Sequence, residues 1–186
     1  MLVVAVELCS IHYQYSEDDE TNLANGLFAD GAGAMIVQRT PVASTPTWRC
    51  AATGSCLLPD SKSAMTWKVR DHGFQMGLSK EVPELIQANL VPWLVPWLAN
   101  QGLRCEDIES WAVHPGGPAI LNAVKGCLSL KREDLVSSWD VLRDYGNMSS
   151  PTILFVLDAM RKRNAPRPCV ALGFGPGLAV EATLWV

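Results

Sequence analysis

Apolar positions fall along the chain in patterns that separate strands from helices. Short, continuous apolar runs bounded by Gly, Pro or polar residues are typical of strands buried on both faces of a parallel or mixed sheet. Runs of this kind, together with β-rich segments, predict strands over residues 2–8, 28–37 (a tight turn and then a strand), 48–58, 66–78, 109–114, 169–174 and 178–186. Segment 66–78 predicts a hairpin that turns at 71–73, with His72 as a turn residue.

Apolar residues at helical spacing predict helices over residues 80–100, 118–128, 131–143 and 150–163. In the first of these, Pro92 and Pro96 lie in the helix interior, so we expect a kink or a break between them. Trp93 and Trp97 are four residues apart, which places both on one face of a helix, in the core or at an interface.

The last predicted helix has a strong start signal, with Ser150 as N-cap and Pro151 at the first helical position. Residues 10–21, which include an acidic cluster at 17–20, are expected to form a solvated loop. Strands come first, then helices alternate with strands, and a hairpin closes the chain. This order is typical of a layered α/β domain.

Composition excludes several classes of partner. The 186 residues are 48% hydrophobic and 18% charged with a net charge of −4, so the chain lacks the basic field that nucleic acids or anionic lipids require. No apolar run is long enough to span a bilayer, and the first residues do not resemble a signal peptide. We therefore expect a cytoplasmic protein. The six cysteines are scattered without the spacing of a metal or redox site, which favours reduced thiols and no metal.

Candidate chemistry lies at three turns, around His114, Asn147 and residues 173–177. Each turn follows a predicted strand or helix, so an α/β fold can bring all of them to one edge of the sheet. An imidazole and a carboxamide together form a pair of hydrogen-bond donors for an oxyanion, and Asn147 also precedes a predicted helix N-terminus. Taken alone, His114 is also compatible with a hydrogen-bonded histidine of the core. Asn147 taken alone is also compatible with a turn asparagine.

These turns also carry a family resemblance. His-Pro-Gly-Gly-Pro-Ala-Ile-Leu at 114–121, Tyr-Gly-Asn-Met-Ser-Ser at 145–150 and Gly-Phe-Gly-Pro-Gly at 173–177 are similar to signatures of the chalcone synthase family, the type III polyketide synthases. Leu-Phe-Ala-Asp-Gly-Ala-Gly-Ala at 27–34 resembles a fourth element of that family, and the likeness extends over essentially the whole chain.

The resemblance implies a thiolase-like, layered α/β/α fold. Residues 1–39 would be the closing strands of an amino-terminal half, residues 40–47 a linker, and residues 48–186 the carboxyl-terminal domain. It also implies an acyltransferase that acts as a homodimer on acyl-CoA and malonyl-CoA, with coenzyme A thioesters as substrates and no cofactor. A cysteine would hold the acyl starter while malonyl-CoA is decarboxylated and condensed with it.

By motif match, His114 and Asn147 would stabilise the enolate oxyanion, and His114 would help to keep the cysteine a thiolate. Phe28 matches a residue that gates the pocket, and Met76 lies near a second gate position where plant chalcone synthases carry phenylalanine. The resemblance gives a pocket role to Ser149, to Gly173, Phe174, Gly175, Pro176 and Gly177, and a coenzyme A contact to Gly116, Gly117 and Ala119.

The family's nucleophilic cysteine lies upstream of the strand with which this chain starts, and no cysteine here matches it. Cys9 is expected to line the pocket without being the nucleophile. The chain is thus expected to be a carboxyl-terminal portion that is inactive in condensation alone. Two alternatives stay open, a ketoacyl synthase of fatty-acid initiation and a noncatalytic module for dimerisation or binding.

Overall fold

A computed structural model describes residues 1–39, 48–71 and 73–186 of the chain. The predicted linker at 40–47 and the turn residue His72 lie outside the described residues. The strands are β1 (Leu2–Glu7), β2 (Gly31–Ile36), β3 (Cys50–Leu57), β4 (Met65–Arg70), β5 (Gly73–Leu78), β6 (Ser110–Val113), β7 (Cys169–Gly175) and β8 (Ala179–Trp185). The helices are α1 (Asp19–Leu27), α2 (Val82–Ala99), α3 (Pro118–Cys127), α4 (Val136–Tyr145) and α5 (Thr152–Lys162).

The central sheet is mixed, with strand order β3-β8-β7-β6, and only β6 and β7 are parallel. The antiparallel pair β1–β2, whose strands are connected through α1, and the antiparallel hairpin β4–β5 stand outside it. The pairing of β4 with β5 confirms the hairpin predicted for residues 66–78.

Helices cover both faces of the central sheet, and strand alternation decides which residue faces which layer. Trp111 and Val113 of β6 pack into a core cluster with buried residues of α2 and α3, whereas Ala112 packs with residues of α4 and α5. Strand β6 confirms the strand predicted over residues 109–114, and all of its residues are buried. Helix α5 also packs against the β1–β2 pair, because Gly33 of β2 has no side chain that would keep Leu154 at a distance.

Strand β1 is not buried on both faces in this chain, contrary to the prediction. It pairs with β2 alone, and Leu2, Val4 and Val6 on its outward face are 64%, 57% and 58% exposed. The odd-numbered residues of β1 are partly buried instead, since they point to the side that packs on the rest of the molecule. An apolar run predicts the strand correctly, but it does not tell what covers it.

Helix α2 continues without interruption through Pro92 and Pro96, so the predicted break is wrong. Both prolines lie on the exposed side of the helix, while the opposite side is anchored in the core. The anchoring residues, spaced three or four apart, are Val82, Ile86, Leu90, Leu94, Trp97 and Leu98. The burial of these side chains stabilises the helix by more than the loss of two backbone hydrogen bonds, which the proline nitrogens cannot donate, destabilises it.

The two tryptophans of α2 lie on one face, as predicted, and belong to the core. Their rings stack with centroids 6.0 Å apart, and Trp97 Nε1 donates a hydrogen bond of 3.2 Å to the carbonyl of Thr53 on β3. A Cβ at Gly54 would collide with the indole of Trp97, so glycine at that position allows α2 to approach the sheet.

The acidic cluster near the amino terminus is not simply a loop. Asp18 is the N-cap of α1, and its carboxylate accepts hydrogen bonds of 2.8 Å from the backbone N–H and the hydroxyl of Thr21. The predicted helix over 131–143 is instead a 3₁₀ turn at Glu133–Leu135 followed by α4. No helix in the described part of the chain is long and apolar enough to cross a membrane.

Candidate active site

His114 lies immediately after β6, at the edge of the sheet where the parallel pair ends. Its backbone N–H donates a 2.8 Å hydrogen bond to the carbonyl of Leu172 on β7, which extends the β6–β7 pairing by one residue. Since Val113 is opposite Leu172, His114 lies beside Gly173, which continues β7 and stays paired with Glu181 of β8. The pairing of these two strands therefore brings two of the predicted turns together.

The glycine-rich turn after His114 brings the backbone close to its imidazole. A Cβ on Gly116 would lie 3.8 Å from Cδ2 and 3.9 Å from Nε2 of His114, so the ring lies against this glycine. Gly117 is the N-cap of α3 and faces Leu27, with a virtual Cβ 3.5 Å from Leu27 Cδ1. Ala119, in the first turn of α3, is exposed.

Asn147 follows the glycine stop of α4. Gly146 takes φ 73°, in the left-handed region, and a Cβ there would lie 3.1 Å from the Cβ of Ala29. Backbone hydrogen bonds of 3.0 Å from Asn147 N–H to the Leu27 carbonyl and of 2.8 Å from Ala29 N–H to the Asn147 carbonyl then fix the segment beside residues 27–29. The side chain is only 3% exposed, which is rare for asparagine outside a polar site.

The carboxamide of Asn147 connects two of the motifs. Its Nδ2 donates a 3.2 Å hydrogen bond to the carbonyl of Gly116, and its Oδ1 accepts a 2.9 Å hydrogen bond from the backbone N–H of Ser149. The second Nδ2 hydrogen has no acceptor among the described residues. A buried amide with its oxygen occupied and one N–H unused is suited to donate to an oxygen of a bound molecule.

His114 is a neutral imidazole in this environment. Burial lowers its pKa from 6.5 to about 4, because the interior disfavours the charged ring, although part of the residue is accessible to solvent. Its ring nitrogens make no hydrogen bond within the described residues. At neutral pH His114 therefore offers one ring N–H as a donor and one ring nitrogen as an acceptor.

Two of the predicted pocket residues, Phe28 and Met76, line one cavity of about 140 Å³. Phe28 also forms a β-bridge with Asn147, which connects the cavity wall to the histidine–asparagine pair. Cys9 lines the same cavity, whereas His114 and Asn147 are not among its lining residues.

Sequence reasoning missed other residues of this cavity wall. His12 packs against Trp67 and Phe74, with ring centroids 5.7 and 5.5 Å apart. Trp67 is directly opposite Met76 in the hairpin register, in which Arg70 pairs with Gly73, so the predicted hairpin indicated the neighbourhood of Trp67 and the structure gave its partner. Nothing in the local sequence of His12 indicates this contact.

The Gly173 to Gly177 segment is not a free loop. Gly173, Phe174 and Gly175 complete β7, and Pro176 and Gly177 begin a 3₁₀ turn. Phe174 packs against the main core cluster, and the carbonyl of Gly177 accepts a 3.0 Å hydrogen bond from Ser61 Oγ. Gly177, with φ 76°, lies near Leu57, and Gly173 is the member of the segment that follows the partner of Val113 in the β6–β7 register.

Ser150 does not cap α5, contrary to the prediction. Helix α5 begins at Thr152, Pro151 precedes it, and no side chain caps it. The hydroxyl of Ser150 donates instead to a carboxylate oxygen of Glu7 at 2.6 Å. A serine before a proline resembles a cap in sequence, but a cap requires the hydroxyl oxygen to accept an N–H at the start of α5, and Ser150 makes no such hydrogen bond while it donates to Glu7 of β1.

None of the six thiols has the lowered pKa of an activated cysteine. Burial raises the pKa of every one, to about 11 for Cys127 and Cys169. For Cys9 the nearby carboxylates of Glu7 and Asp30 raise the pKa further. No group of three or more potential metal ligands occurs in the described part of the chain.

Together these features define a thiolase-like α/β fold with a histidine at the end of its parallel strands and an asparagine hydrogen-bonded to the turn that follows this histidine. The structure is similar to the crystal structure of PKS-I from the brown alga Ectocarpus siliculosus, with a TM-score of 0.95 and 29% identity over 99% of this chain and 52% of that one. It is also similar to the C-terminal type III polyketide synthase domain of Steely1, a type I/III hybrid from Dictyostelium, with a TM-score of 0.89 and 29% identity over 99% of this chain and 53% of that one.

Residues 50–186 match the family model of the C-terminal domain of chalcone and stilbene synthases. The chain belongs to this family, which confirms the resemblance noted in its motifs. It spans about half the length of the solved structures it matches.

Proposed function

We propose that this chain supplies the histidine and asparagine of a type III polyketide synthase that decarboxylates malonyl-CoA and condenses the product with a cysteine-bound acyl starter. The single observation that carries the proposal is the Asn147 carboxamide, held by Gly116 and Ser149 beside His114 with one N–H unused. Membership of the chalcone and stilbene synthase family supports the reaction class.

The chemistry requires stabilisation of a developing negative charge. When the bond between the α-carbon and the carboxylate of malonyl-CoA breaks, CO₂ leaves and the electron pair moves onto the thioester oxygen as an enolate. The free N–H of Asn147 and the ring N–H of neutral His114 would donate to that oxygen. Each preorganised donor of this kind contributes about 3–4 kcal/mol to transition-state stabilisation.

The enolate carbon would then attack the carbonyl of an acyl thioester, and the cysteine would depart as a thiolate. The raised pKa values of the thiols in this chain support a nucleophile from the part of the family architecture that the chain does not span. A thiolate in contact with His114 would raise the pKa of the imidazole by Coulombic attraction, so the two groups could share a proton.

We propose that the coenzyme A arm passes Gly116, Gly117 and Ala119 at the start of α3, and that the acyl chain occupies the cavity between Phe28 and Met76. The exposed first turn of α3 and the cavity wall support these assignments. We assign Ser149 and the Gly173 to Gly177 segment to the pocket boundary. The homodimer expected for the family is part of the same proposal.

The test is CO₂ release from malonyl-CoA by the protein expressed from its full reading frame. We expect Asn147→Ala and His114→Ala each to lower kcat about 10²–10³-fold, because each removes one donor to the enolate. Asn89→Ala is the matched control, since Asn89 also donates through Nδ2 to a backbone carbonyl, that of Leu85 at 2.9 Å, but in α2. Unchanged decarboxylation in both site variants would refute the proposal.

Further arms of the experiment separate the alternatives. The 186-residue chain alone should not form polyketide from acyl-CoA and malonyl-CoA, and condensation by it would place the nucleophile within the chain. A requirement for acyl carrier protein would identify a ketoacyl synthase. Binding of malonyl-CoA without decarboxylation would identify a noncatalytic binding module.

A further inference from the structure

A hydrogen bond connects the end of β1 to the segment that carries Asn147. Ser150 Oγ donates to Glu7 Oε1 at 2.6 Å, across 143 residues of sequence. This length is typical of a hydroxyl that donates to a carboxylate oxygen. Glu7 is opposite Gly31 in the β1–β2 register, and Met148 packs directly over Gly31. The end of the β1–β2 pair, at Glu7 and Gly31, therefore contacts residues 148–150 at two points.

Ser149, next to Ser150, has an unusual backbone. Its φ of 60° places a non-glycine residue in the left-handed region, a conformation that persists only where the surroundings impose it. In this conformation its N–H points back to Asn147 Oδ1 at 2.9 Å, and its carbonyl accepts from Thr152 N–H at 3.1 Å. The bond from Ser150 to Glu7 fixes the residue that follows.

The Ser149 N–H decides which way the Asn147 carboxamide faces. With Oδ1 bound to this N–H, the amide nitrogen points to Gly116 and leaves one hydrogen unused. If Ser149 relaxed to an ordinary conformation, Oδ1 would lose its donor and the amide could rotate. An enolate oxygen would then meet the carbonyl oxygen of the amide, which repels it.

We infer that Glu7 is a positioning residue for Asn147, acting through Ser150 and the backbone of Ser149. The inference rests on the proposed function in treating Asn147 as a donor to the substrate. The carboxylate of Glu7 does not touch substrate in this role, since it holds the turn that orients the donor.

The chain offers a matched control for this hydrogen bond. Ser55 Oγ donates to Glu181 at 2.6 Å, also between a serine and a glutamate on neighbouring elements. That pair bridges β3 and β8, and among the described residues no hydrogen bond joins it to residues 147–150. Glu181→Ala therefore removes the same kind of bond without affecting the Asn147 turn.

Two measurements test the inference. The first is the side-chain amide NMR signal of Asn147 in ¹⁵N-asparagine-labelled protein, assigned with Asn147→Asp. We expect Glu7→Ala and Ser150→Ala to shift or broaden this signal, Glu7→Gln to restore it in part because an acceptor oxygen remains, and Glu181→Ala to leave it unchanged.

The second measurement is the kinetics of malonyl-CoA decarboxylation. We expect Glu7→Ala to lower kcat roughly 10- to 100-fold, as for a misplaced catalytic group, with KM within about twofold of the original value. The double variant with Ser150→Ala should be no worse than either single variant, because both remove one interaction.

The outcomes are distinguishable from failure of the proposed function. An unmoved Asn147 signal in both Glu7→Ala and Ser150→Ala overturns the positioning role, whatever the activity. Equal losses in Glu7→Ala and Glu181→Ala also overturn it, since they would show a general effect on stability. A shifted signal in a protein that does not decarboxylate malonyl-CoA supports the positioning role and refutes the proposed function instead.

Discussion

At the scale of single residues, burial decides the charge state of the site. His114 follows a fully buried strand, and the low dielectric around its ring lowers its pKa to about 4. The ring is therefore a neutral hydrogen-bond donor at physiological pH. The function proposed for His114 depends on this neutrality until a thiolate approaches.

This burial predicts how stability depends on pH. The folded pKa of His114 lies below the value of 6.5 expected in the unfolded chain, so the unfolded state binds the proton more readily. Burial of His114 should cost no stability above pH 6.5, and the free energy of unfolding should fall by about 3 kcal/mol as the pH drops to 4.

Urea unfolding at a series of pH values measures this loss. His114→Gln removes the titrating group and should flatten the curve between pH 6.5 and 4. The lowered pKa values of the ion-paired carboxylates Asp140 and Asp158 place their effect below pH 4 and outside this window. An identical pH profile for the two proteins would show that another group is responsible.

At the scale of elements, packing overrides local propensity. Helix α2 contains two interior prolines and yet runs without interruption, because one face is buried from Val82 to Leu98. Pro92 and Pro96 are exposed, so they contribute little packing that could offset the hydrogen bonds they omit.

Replacing Pro92 by alanine should therefore stabilise the protein. The new N–H can donate to the carbonyl of Ala88, and we expect a gain of about 1–2 kcal/mol in the free energy of unfolding after the larger entropy of the unfolded chain is subtracted. Pro83→Ala is the control, since Pro83 lies in the first turn, where a backbone N–H has no intrahelical acceptor. Urea titrations that showed equal gains at both positions would contradict this explanation.

At the scale of the whole molecule, the β1–β2 pair has an apolar face that is exposed to solvent. Its outward residues are paired across the two strands in the order Leu2 with Ile36, Val4 with Ala34 and Val6 with Ala32. Ile36 is 77% exposed. The inward face of the pair packs on α5 and the Asn147 turn, so the two strands support the site, while their outward face remains uncovered.

The 186-residue chain is therefore expected to self-associate through this face. Sedimentation velocity should show an average mass that rises with protein concentration, and Val4→Lys should reduce that rise by placing a charge in the centre of the face. Val69→Lys is the control, because Val69 is 78% exposed on β4, which does not belong to the β1–β2 pair. A chain that stays monomeric at high concentration would contradict the prediction.

The sequence by itself determined the layered α/β class, the strands and most of the helices, because apolar periodicity and Gly or Pro punctuation are local signals. It also determined the family, through motifs at 114–121, 145–150 and 173–177. Gly146 as a helix stop was predictable, since a left-handed position favours glycine.

Only the tertiary structure decided how these pieces meet. The parallel register of β6 and β7 placed His114 beside Gly173, and hydrogen bonds to Gly116 and Ser149 oriented Asn147. The approach of β1 to residues 148–150 gave the Ser150 hydroxyl a partner in Glu7, and Ser150 does not cap α5. These hydrogen bonds join groups that are distant in sequence, so a local sequence pattern does not predict which partners will meet.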